Sequence, residues 1–278
     1  MDAPFSHDHH APQANQWALR LARGRVPRWL NWFWLPIALV QGFGVRSGRT
    51  RLLAPDGPSI LTVGPDKPAS KPLRLLVLGD SSVAGVGVTE ADERLPVQIA
   101  THLSDRLARS VTLHASGHSS AVSADLRDHM MPHLPRDAFD LVILVVGLND
   151  AKNLHTSARF LREFGTLLYA LKARFPSAVI AHWALSPYSI VPGLPQPLKG
   201  FLSLRSDRMD ALAACLCAER GVKRFERRTE LPPEAFADDG FHMSAEGCRL
   251  WADDLVTQLM ASGWLDEPPV DGIDQPTS

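Results

Sequence analysis

A serine, an aspartate and a histidine in this sequence have the residue types and spacing that acyl transfer needs. Ser81 follows Gly79-Asp80, and Asp239 precedes His242 by three residues in a segment that contains a glycine. A serine hydroxyl is a weak nucleophile at neutral pH, so it needs a base to take its proton and a third group to orient that base. At this spacing the Asp239 carboxylate can reach Nδ1 of the imidazole and leave Nε2 to face Ser81. The pattern predicts Ser81 as nucleophile, His242 as base and Asp239 as the orienting group.

Each of these motifs also has a purely structural interpretation. Asp80-Ser81 is a common way to begin a helix after a strand. Gly147-Leu148-Asn149 and Asp239-Gly240 are ordinary turn sequences, and His242 taken alone fits a loop histidine. Catalysis is favoured by the conjunction of all of them in one chain, at the ends of predicted strands.

Short apolar runs alternate with longer amphipathic runs from Pro72 onward, which is typical of a parallel sheet flanked by helices. The predicted strands are Leu73–Leu78, Val111–Ala115, Leu141–Val146, Ala178–Ala184 and Val222–Phe225. The predicted helices are Leu95–Ala108, Ser123–His133, Ser157–Phe175, Phe201–Arg220 and Ser244–Met260, with Ser244 as the N-cap of the last. The pattern predicts an α/β fold, a flavodoxin-like three-layer sandwich with a five-stranded parallel sheet.

Polar groups follow several of these strands directly. Ser81 comes after the first strand, Gly117 after the second, Asn149 after the third, and the pair Asp239 and His242 after the last. Ligands of such sheets bind just outside the carboxyl ends of the strands. We therefore expect these residues to meet at one edge of the sheet.

In chain order, Ser81, Gly117, Asn149 and His242 resemble the four signature residues of the SGNH hydrolase (GDSL-like lipase/esterase) family. The resemblance covers residues 73–262 and includes Gly-Asp-Ser, Gly-x-Asn-Asp and Asp-x-x-His. It implies a serine esterase that acts on a small-molecule acyl ester through an acyl-enzyme, with no cofactor and no metal. It also implies an oxyanion hole formed by the backbone N–H groups of Ser81 and Gly117 and the side-chain amide of Asn149.

The second motif departs from the family pattern, which usually has an asparagine a few residues before its glycine. Here that neighbourhood is His114-Ala115-Ser116. Thioester, lysophospholipid and sugar-acetyl substrates fit the same chemistry. A binding or anchoring module that keeps the fold without hydrolysis is the alternative from another functional class.

Composition excludes several other functions. The chain has 278 residues and 29 Lys+Arg against 30 Asp+Glu, so no net field marks it as a nucleic-acid binder. Three cysteines do not form a disulfide framework. The P-loop sequence and the Gly-x-Ser-x-Gly elbow of the α/β-hydrolases are both absent.

The N-terminal quarter of the chain differs from the rest. The apolar run Trp29–Val45 is flanked by arginines but is too short and too polar for a confident membrane crossing, and it lacks a convincing cleavage site. It predicts either a membrane-surface anchor or a helix packed on the catalytic region. We divide the chain into an N-terminal segment (1–71), a hydrolase domain (72–265) and a flexible tail (266–278). The compartment stays open between the cytoplasm and a membrane surface.

Overall fold

The computed structural model describes residues 36, 37, 40–42, 44, 52–65, 71–136 and 139–265. Its strands are β1 (Ile60–Val63), β2 (Leu73–Gly79), β3 (Val111–Gly117), β4 (Leu141–Val145), β5 (Val179–Trp183) and β6 (Lys223–Phe225). Its helices from the sheet region onward are α1 (Ser81–Ala84), α2 (Leu95–Leu107), α3 (Ser123–Asp125), α4 (Leu148–Lys152), α5 (Ser157–Arg174), α6 (Leu198–Glu219) and α7 (Ala245–Ser262). Short 3₁₀ turns are formed by Ala91–Glu93, Met131–His133, Tyr188–Ile190 and Pro233–Ala235.

The strands form one sheet in the order β1-β3-β2-β4-β5-β6. Strands β2 to β6 pair in parallel, which confirms the five predicted strands and their doubly wound arrangement. In this arrangement the carboxyl ends of β2, β3 and β4 lie side by side, as shown by the register that pairs Gly79 with both Gly117 and Val145. The loops that follow these strands therefore meet at one edge.

The sixth strand, β1, was not predicted from the sequence. It runs antiparallel to β3, with Ile60 opposite His114 and Val63 opposite Val111. It has only four residues, all at least partly exposed, and prolines lie at positions 58 and 65. Such a short edge strand carries little hydrophobic pattern of its own, and its pairing depends on the free edge of β3.

Successive residues of a strand point to opposite faces of the sheet, and β2 shows this alternation clearly. Leu76 and Leu78 belong to one core, whereas Leu75 and Val77 belong to the other. The first core is closed by α5 and α6, and the second by α2 and α7. The predicted three-layer sandwich is therefore confirmed.

Several helix boundaries differ from those predicted. The segment Ser123–His133 is broken into α3, a π-helical turn and a 3₁₀ turn, and Pro132 in the last of these has no N–H to continue an α-helix. Helix α4 was not predicted. The predicted cap of α7 is confirmed, because the N–H of Gly247 donates to the Ser244 hydroxyl at 3.1 Å.

Most of the apolar segment Trp29–Val45 lies outside the described residues, as do most of the N-terminal segment 1–71 and all of the C-terminal tail 266–278. Residues 36, 37, 40–42 and 44 are helical. Gln41 contacts the loop before α6: its amide donates to the carbonyl of Gln196 at 2.7 Å and its oxygen accepts from the N–H of Leu198 at 3.1 Å. In the part of the chain that the structure describes, no helix has the length and apolarity that a membrane span requires.

Candidate active site

Ser81 lies at a sharp turn from β2 into α1. Asp80 caps the helix, since its carboxylate accepts from the N–H of Ser82 at 3.1 Å, and Ser81 is the first helical residue. The first N–H groups of a helix have no partner within the helix. At this turn the Ser81 side chain is partly exposed and lies at the carboxyl edge of the sheet.

Asp239 holds His242 in a short loop before α7. One carboxylate oxygen lies 2.6 Å from His242 Nδ1, and the other accepts from the N–H groups of Phe241 at 2.8 Å and His242 at 2.9 Å. Gly240 makes this loop possible with a φ of 60°, a left-handed conformation that glycine adopts without strain. The carboxylate thus fixes both the loop and the imidazole, and leaves Nε2 available.

The electrostatics of Asp239 follow from these bonds. Burial alone would raise the pKa of the carboxyl group, but the hydrogen bonds from the His242 imidazole and from the two backbone N–H groups outweigh it and lower the pKa to about 2. Asp239 is therefore a carboxylate at every pH at which a histidine can act as a base.

Ser81, Asn149 and His242 line one cleft, which we call the outer cleft. Its walls are mostly apolar and come from the loop after β5 and from the loop that carries His242; they include Pro187, Tyr188, Ile190, Val191, Leu231, Phe236, Phe241 and Met243. The cavity volume is about 70 Å³, which suits a few water-sized groups. Among the described residues no hydrogen bond joins the Ser81 hydroxyl to His242. The cleft brings the predicted nucleophile and base to one surface.

Asn149 is the second residue of α4 and is buried. Its amide nitrogen donates to the Asp80 carboxylate at 3.1 Å and to the carbonyl of Ala121 at 3.0 Å. Asn149 therefore links three loops at the sheet edge, those after β2, β3 and β4.

Gly117 ends β3 and packs against the backbone of α1. A Cβ at this position would lie 2.3 Å from the nitrogen of Ala84 and 2.6 Å from the carbonyl carbon of Val83, closer than real atoms approach. Only glycine therefore allows β3 to end this close to the helix that carries Ser81. Gly117 is not among the residues that line the outer cleft, and its part in an oxyanion hole stays a prediction.

Sequence reasoning did not select several residues of this site. Asp80 is buried, which raises the pKa of its carboxyl group against the lowering effect of the Ser82 N–H. Tyr188 is buried beneath the cleft and donates its hydroxyl to the carbonyl of Leu148 at 2.9 Å. Ser186 and Trp251 also line the cleft. Asp80 could have been found from its place beside Ser81. Ser186 and Tyr188 lie in the proline-rich loop 186–200, which the sequence marks as a whole, and Trp251 carries no signal in the sequence.

A second group of charged side chains lies in the interior near α4 and α5. His155 Nδ1 is 3.1 Å from an oxygen of Asp150 and 3.7 Å from an oxygen of Glu163. The other oxygen of Asp150 accepts from both the N–H and the hydroxyl of Ser123 at 3.1 Å, and Arg159 donates to Glu163 at 2.8 Å. The possible ligand atoms of Asp150, His155 and Glu163 lie close enough together to consider a metal ion. Protein groups contact both oxygens of Asp150 and donate to one oxygen of Glu163, while the other oxygen of Glu163 has no hydrogen-bond partner among the described residues. We interpret the group as a buried cluster held mainly by hydrogen bonds.

The fold and the outer cleft together define a class of protein: an α/β sandwich whose serine, asparagine and Asp-His pair gather at the carboxyl edge of a flavodoxin-like sheet, as in ester hydrolases of the SGNH type. A family model described as GDSL-like lipase/acylhydrolase matches residues 77–250, which is more than half of the chain. The chain belongs to this family.

The individual proteins that this chain resembles share only a low sequence identity with it. The GDSL-like esterase Rv1075c of Mycobacterium tuberculosis is 26% identical over 200 residues, which cover 67% of this chain and 62% of that protein. The chain thus matches less than two thirds of the length of this curated relative. Among solved structures, the carbohydrate acetylesterase Est24 of Sinorhizobium meliloti matches with a TM-score of 0.51 and 19% identity, over 68% of this chain and 99% of that one. An extracellular lipase of Streptomyces rimosus matches with a TM-score of 0.50 and 17% identity, over 66% and 99%. These two structures support the fold.

Proposed function

We propose that this protein hydrolyses carboxylic esters through an acyl-enzyme formed on Ser81. The observation that carries the proposal is the 2.6 Å contact between Asp239 and His242 Nδ1 in a cleft that Ser81 also lines. Membership of the GDSL-like lipase/acylhydrolase family supports the same reaction class.

In the proposed reaction, Ser81 Oγ attacks the ester carbonyl while His242 Nε2 accepts the hydroxyl proton. The bond to the alcohol then breaks, and the imidazolium gives its proton to the departing oxygen. Water attacks the acyl-enzyme in the same way, with His242 again as base, and releases the acid and Ser81. Asp239 holds the imidazole tautomer and stabilises the imidazolium, for which its low pKa is suited.

The negative charge on the carbonyl oxygen needs hydrogen-bond donors in both steps. We assign the backbone N–H of Ser81 and the side-chain amide of Asn149 to this task, with the N–H of Gly117 as the third donor that the family resemblance implies. The Asn149 amide already donates to Asp80 and Ala121. The substrate oxyanion must therefore share an Asn149 N–H with Asp80 or Ala121, or take the place of one of them as acceptor.

A fluorophosphonate probe tests the nucleophile directly, because it phosphonylates an activated serine. We expect one adduct, which peptide mass spectrometry places on Ser81, and loss of both adduct and phenyl ester hydrolysis in Ser81→Ala. Ser119→Ala is the matched control, since this serine is exposed near the same sheet edge and lies outside the cleft. A protein that binds esters without adduct or turnover would support the non-hydrolytic module instead.

The substrate is proposed only as a class. One related structure is named a carbohydrate acetylesterase and another a lipase, so the fold accommodates different acyl esters. A panel of phenyl esters of increasing chain length, acyl-CoA thioesters, lysophospholipids and acetylated sugars would separate these alternatives. The reaction needs no metal ion, so a chelator should leave the rate unchanged.

We also propose that the segment Trp29–Val45 associates with an anionic lipid surface. Two of its described residues, Ile37 and Val40, are 47% and 75% exposed, and arginines flank the segment. Deletion of residues 1–50 should abolish sedimentation with vesicles of phosphatidylserine and phosphatidylcholine while hydrolysis of a soluble ester continues.

Gln41→Ala is the matched variant, because it removes only the contact with Gln196 and Leu198. Aggregation or a lower melting temperature after the deletion would favour a helix packed on the catalytic region.

A further inference from the structure

Asp80 precedes the proposed nucleophile in sequence and contacts the proposed oxyanion donor, Asn149. One oxygen of the Asp80 carboxylate accepts from the N–H of Ser82 at 3.1 Å, and the other accepts from the side-chain amide nitrogen of Asn149 at 3.1 Å. Asp80 is buried, and it lines the outer cleft together with Ser81 and Asn149. The same carboxylate therefore caps α1 and holds Asn149.

The surroundings of Asn149 determine which end of its amide faces them. The amide nitrogen donates to the Asp80 carboxylate and, at 3.0 Å, to the carbonyl of Ala121. A backbone carbonyl and an ionised carboxylate can only accept, and the side-chain oxygen of an asparagine cannot donate. If the amide turned over, its oxygen would face two acceptors and both contacts would become repulsive. The two partners therefore fix the nitrogen of Asn149 at this position.

Few residue types could replace Asp80 in both of its contacts. A carboxylate serves two donors because it has two acceptor oxygens, whereas an asparagine has one and could pair with only one of them. A serine caps a helix about as well as an aspartate does. Its single hydroxyl, however, is one bond shorter than the carboxylate oxygens and would leave the Asn149 nitrogen without this acceptor. The cap of α1 and the contact with Asn149 can therefore be separated by substitution.

An oxyanion donor contributes to catalysis only when its N–H is held where the negative charge develops. The contact with Asp80 ties the Asn149 nitrogen to the loop after β2, which carries Ser81, although Asn149 itself follows β4. We infer that Asp80 is a positioning residue: it holds the Asn149 amide nitrogen at a fixed place relative to Ser81 and acts on the reaction only through Asn149. This inference rests on the ester hydrolysis proposed above.

A double-mutant cycle between positions 80 and 149 tests this inference, with kcat and KM for a soluble phenyl ester as the measured quantities. Asp80→Ser keeps a helix cap and removes the contact with Asn149. In an otherwise wild-type chain we expect it to lower kcat roughly tenfold, the effect of about one hydrogen bond, with a smaller change in KM. In a chain that already carries Asn149→Ala, Asp80→Ser should lower kcat about twofold or less, because the residue that Asp80 positions is gone.

Asp125→Asn is the matched control. This carboxylate also accepts a backbone N–H at the start of a short helix, that of Val122 at 3.0 Å, but it does not line the outer cleft. Its kcat should equal that of the wild type. Asp80→Thr, which also keeps a capping hydroxyl, takes the place of Asp80→Ser if that variant does not fold.

Three results would overturn the positioning role while hydrolysis itself stands. Equal losses from Asp80→Ser with and without Asn149→Ala would show that Asp80 acts on Ser81 or on the helix cap. A higher kcat in Asp80→Ser would show that the carboxylate competes with the oxyanion for the Asn149 N–H. An unchanged kcat in Asp80→Ser or in Asn149→Ala would show that this contact does not affect the reaction. Turnover that survives in Ser81→Ala overturns the proposed function instead.

Discussion

Two Asp-His pairs in this molecule have similar local chemistry and different surroundings. In the first, Asp239 lies 2.6 Å from His242 Nδ1 at a cleft that also holds Ser81. In the second, Asp150 lies 3.1 Å from His155 Nδ1 in the interior, next to Glu163. The first imidazole is 24% exposed and the second 7%.

The difference between these pairs shows that an Asp-His contact does not by itself make a base. His242 lines a cleft that also contains the proposed nucleophile Ser81, whereas His155 lies between the buried carboxylates of Asp150 and Glu163. The Asp150 carboxylate also holds the N–H and hydroxyl of Ser123, two residues after the Ala121 carbonyl that Asn149 binds. We therefore interpret the first pair as chemical and the second as structural.

The largest expected difference is between the two histidines. His242→Gln removes the proposed base, and we expect kcat to fall on the order of 10⁶-fold, as for the base of other serine hydrolases. His155→Gln keeps a donor toward Asp150, so kcat should stay close to the wild-type value. Steady-state rates on a soluble phenyl ester measure both. Comparable losses in the two variants would contradict the distinction between the pairs.

Substitutions of the two aspartates should differ less in kcat than substitutions of the two histidines. Asp239→Asn keeps the shape of the side chain but disturbs the tautomer of His242, for which we expect a loss of about 10⁴-fold in kcat. Asp150→Asn should lose far less, because no reacting group contacts it. The same assay gives both numbers, and full activity in Asp239→Asn would remove Asp239 from the mechanism.

Asn149 lies next to Asp150 in sequence but belongs to the outer cleft. Asn149→Ala should lower kcat about 10²- to 10³-fold with a smaller change in KM, because an oxyanion donor acts mainly in the transition state. If KM rose and kcat did not change, Asn149 would instead be a residue that binds the ground-state substrate.

For stability the order of the two pairs reverses. His155→Ala leaves buried carboxylate oxygens of Asp150 and Glu163 without this neighbour, and we expect a loss of about 1–3 kcal/mol in the free energy of unfolding. His242→Ala affects a more exposed ring at the edge of the cleft and should cost less. Urea unfolding measures both losses. An equal or larger loss in His242→Ala would show that the imidazole at the cleft is the structural one.

Acidification should change the stability contributed by Asp239 and by Asp150 in opposite directions. The pKa of Asp239 is lowered to about 2, below its value of about 3.9 in the unfolded chain, so its contribution to stability is complete above pH 4 and is lost as the pH falls toward 2. Burial raises the pKa of Asp150 against the effect of its hydrogen bonds, so its ionisation costs stability as the pH rises above about 4.

Melting temperatures between pH 2 and pH 6 test these signs. Asp239→Asn should flatten the loss of stability on acidification, whereas Asp150→Asn should remove a cost that grows with pH. If both substitutions changed the dependence of melting temperature on pH in the same direction, the two carboxylates would have similar environments.

The sequence alone predicted the five parallel strands and, of the residues at the cleft, Ser81, Asn149 and His242. Strands β2, β4 and β5 are largely buried apolar runs, and β3 alternates buried and partly exposed residues, patterns that the local sequence carries. Asp239 and His242 are three residues apart, so their contact depends on a short loop that the chain encodes locally. The same holds for the N-cap at Ser244.

Only the tertiary structure decided the rest. The pairing of β1 depends on the free edge of β3, about fifty residues away in sequence. Asp150 binds the hydroxyl of Ser123, 27 residues away in sequence, and Ser186 and Trp251 line one cavity although they come from the loop after β5 and from α7. These contacts join distant parts of the chain, and the hydrophobic pattern that places each element does not specify which polar side chains will face one another. Packing alone brought them together.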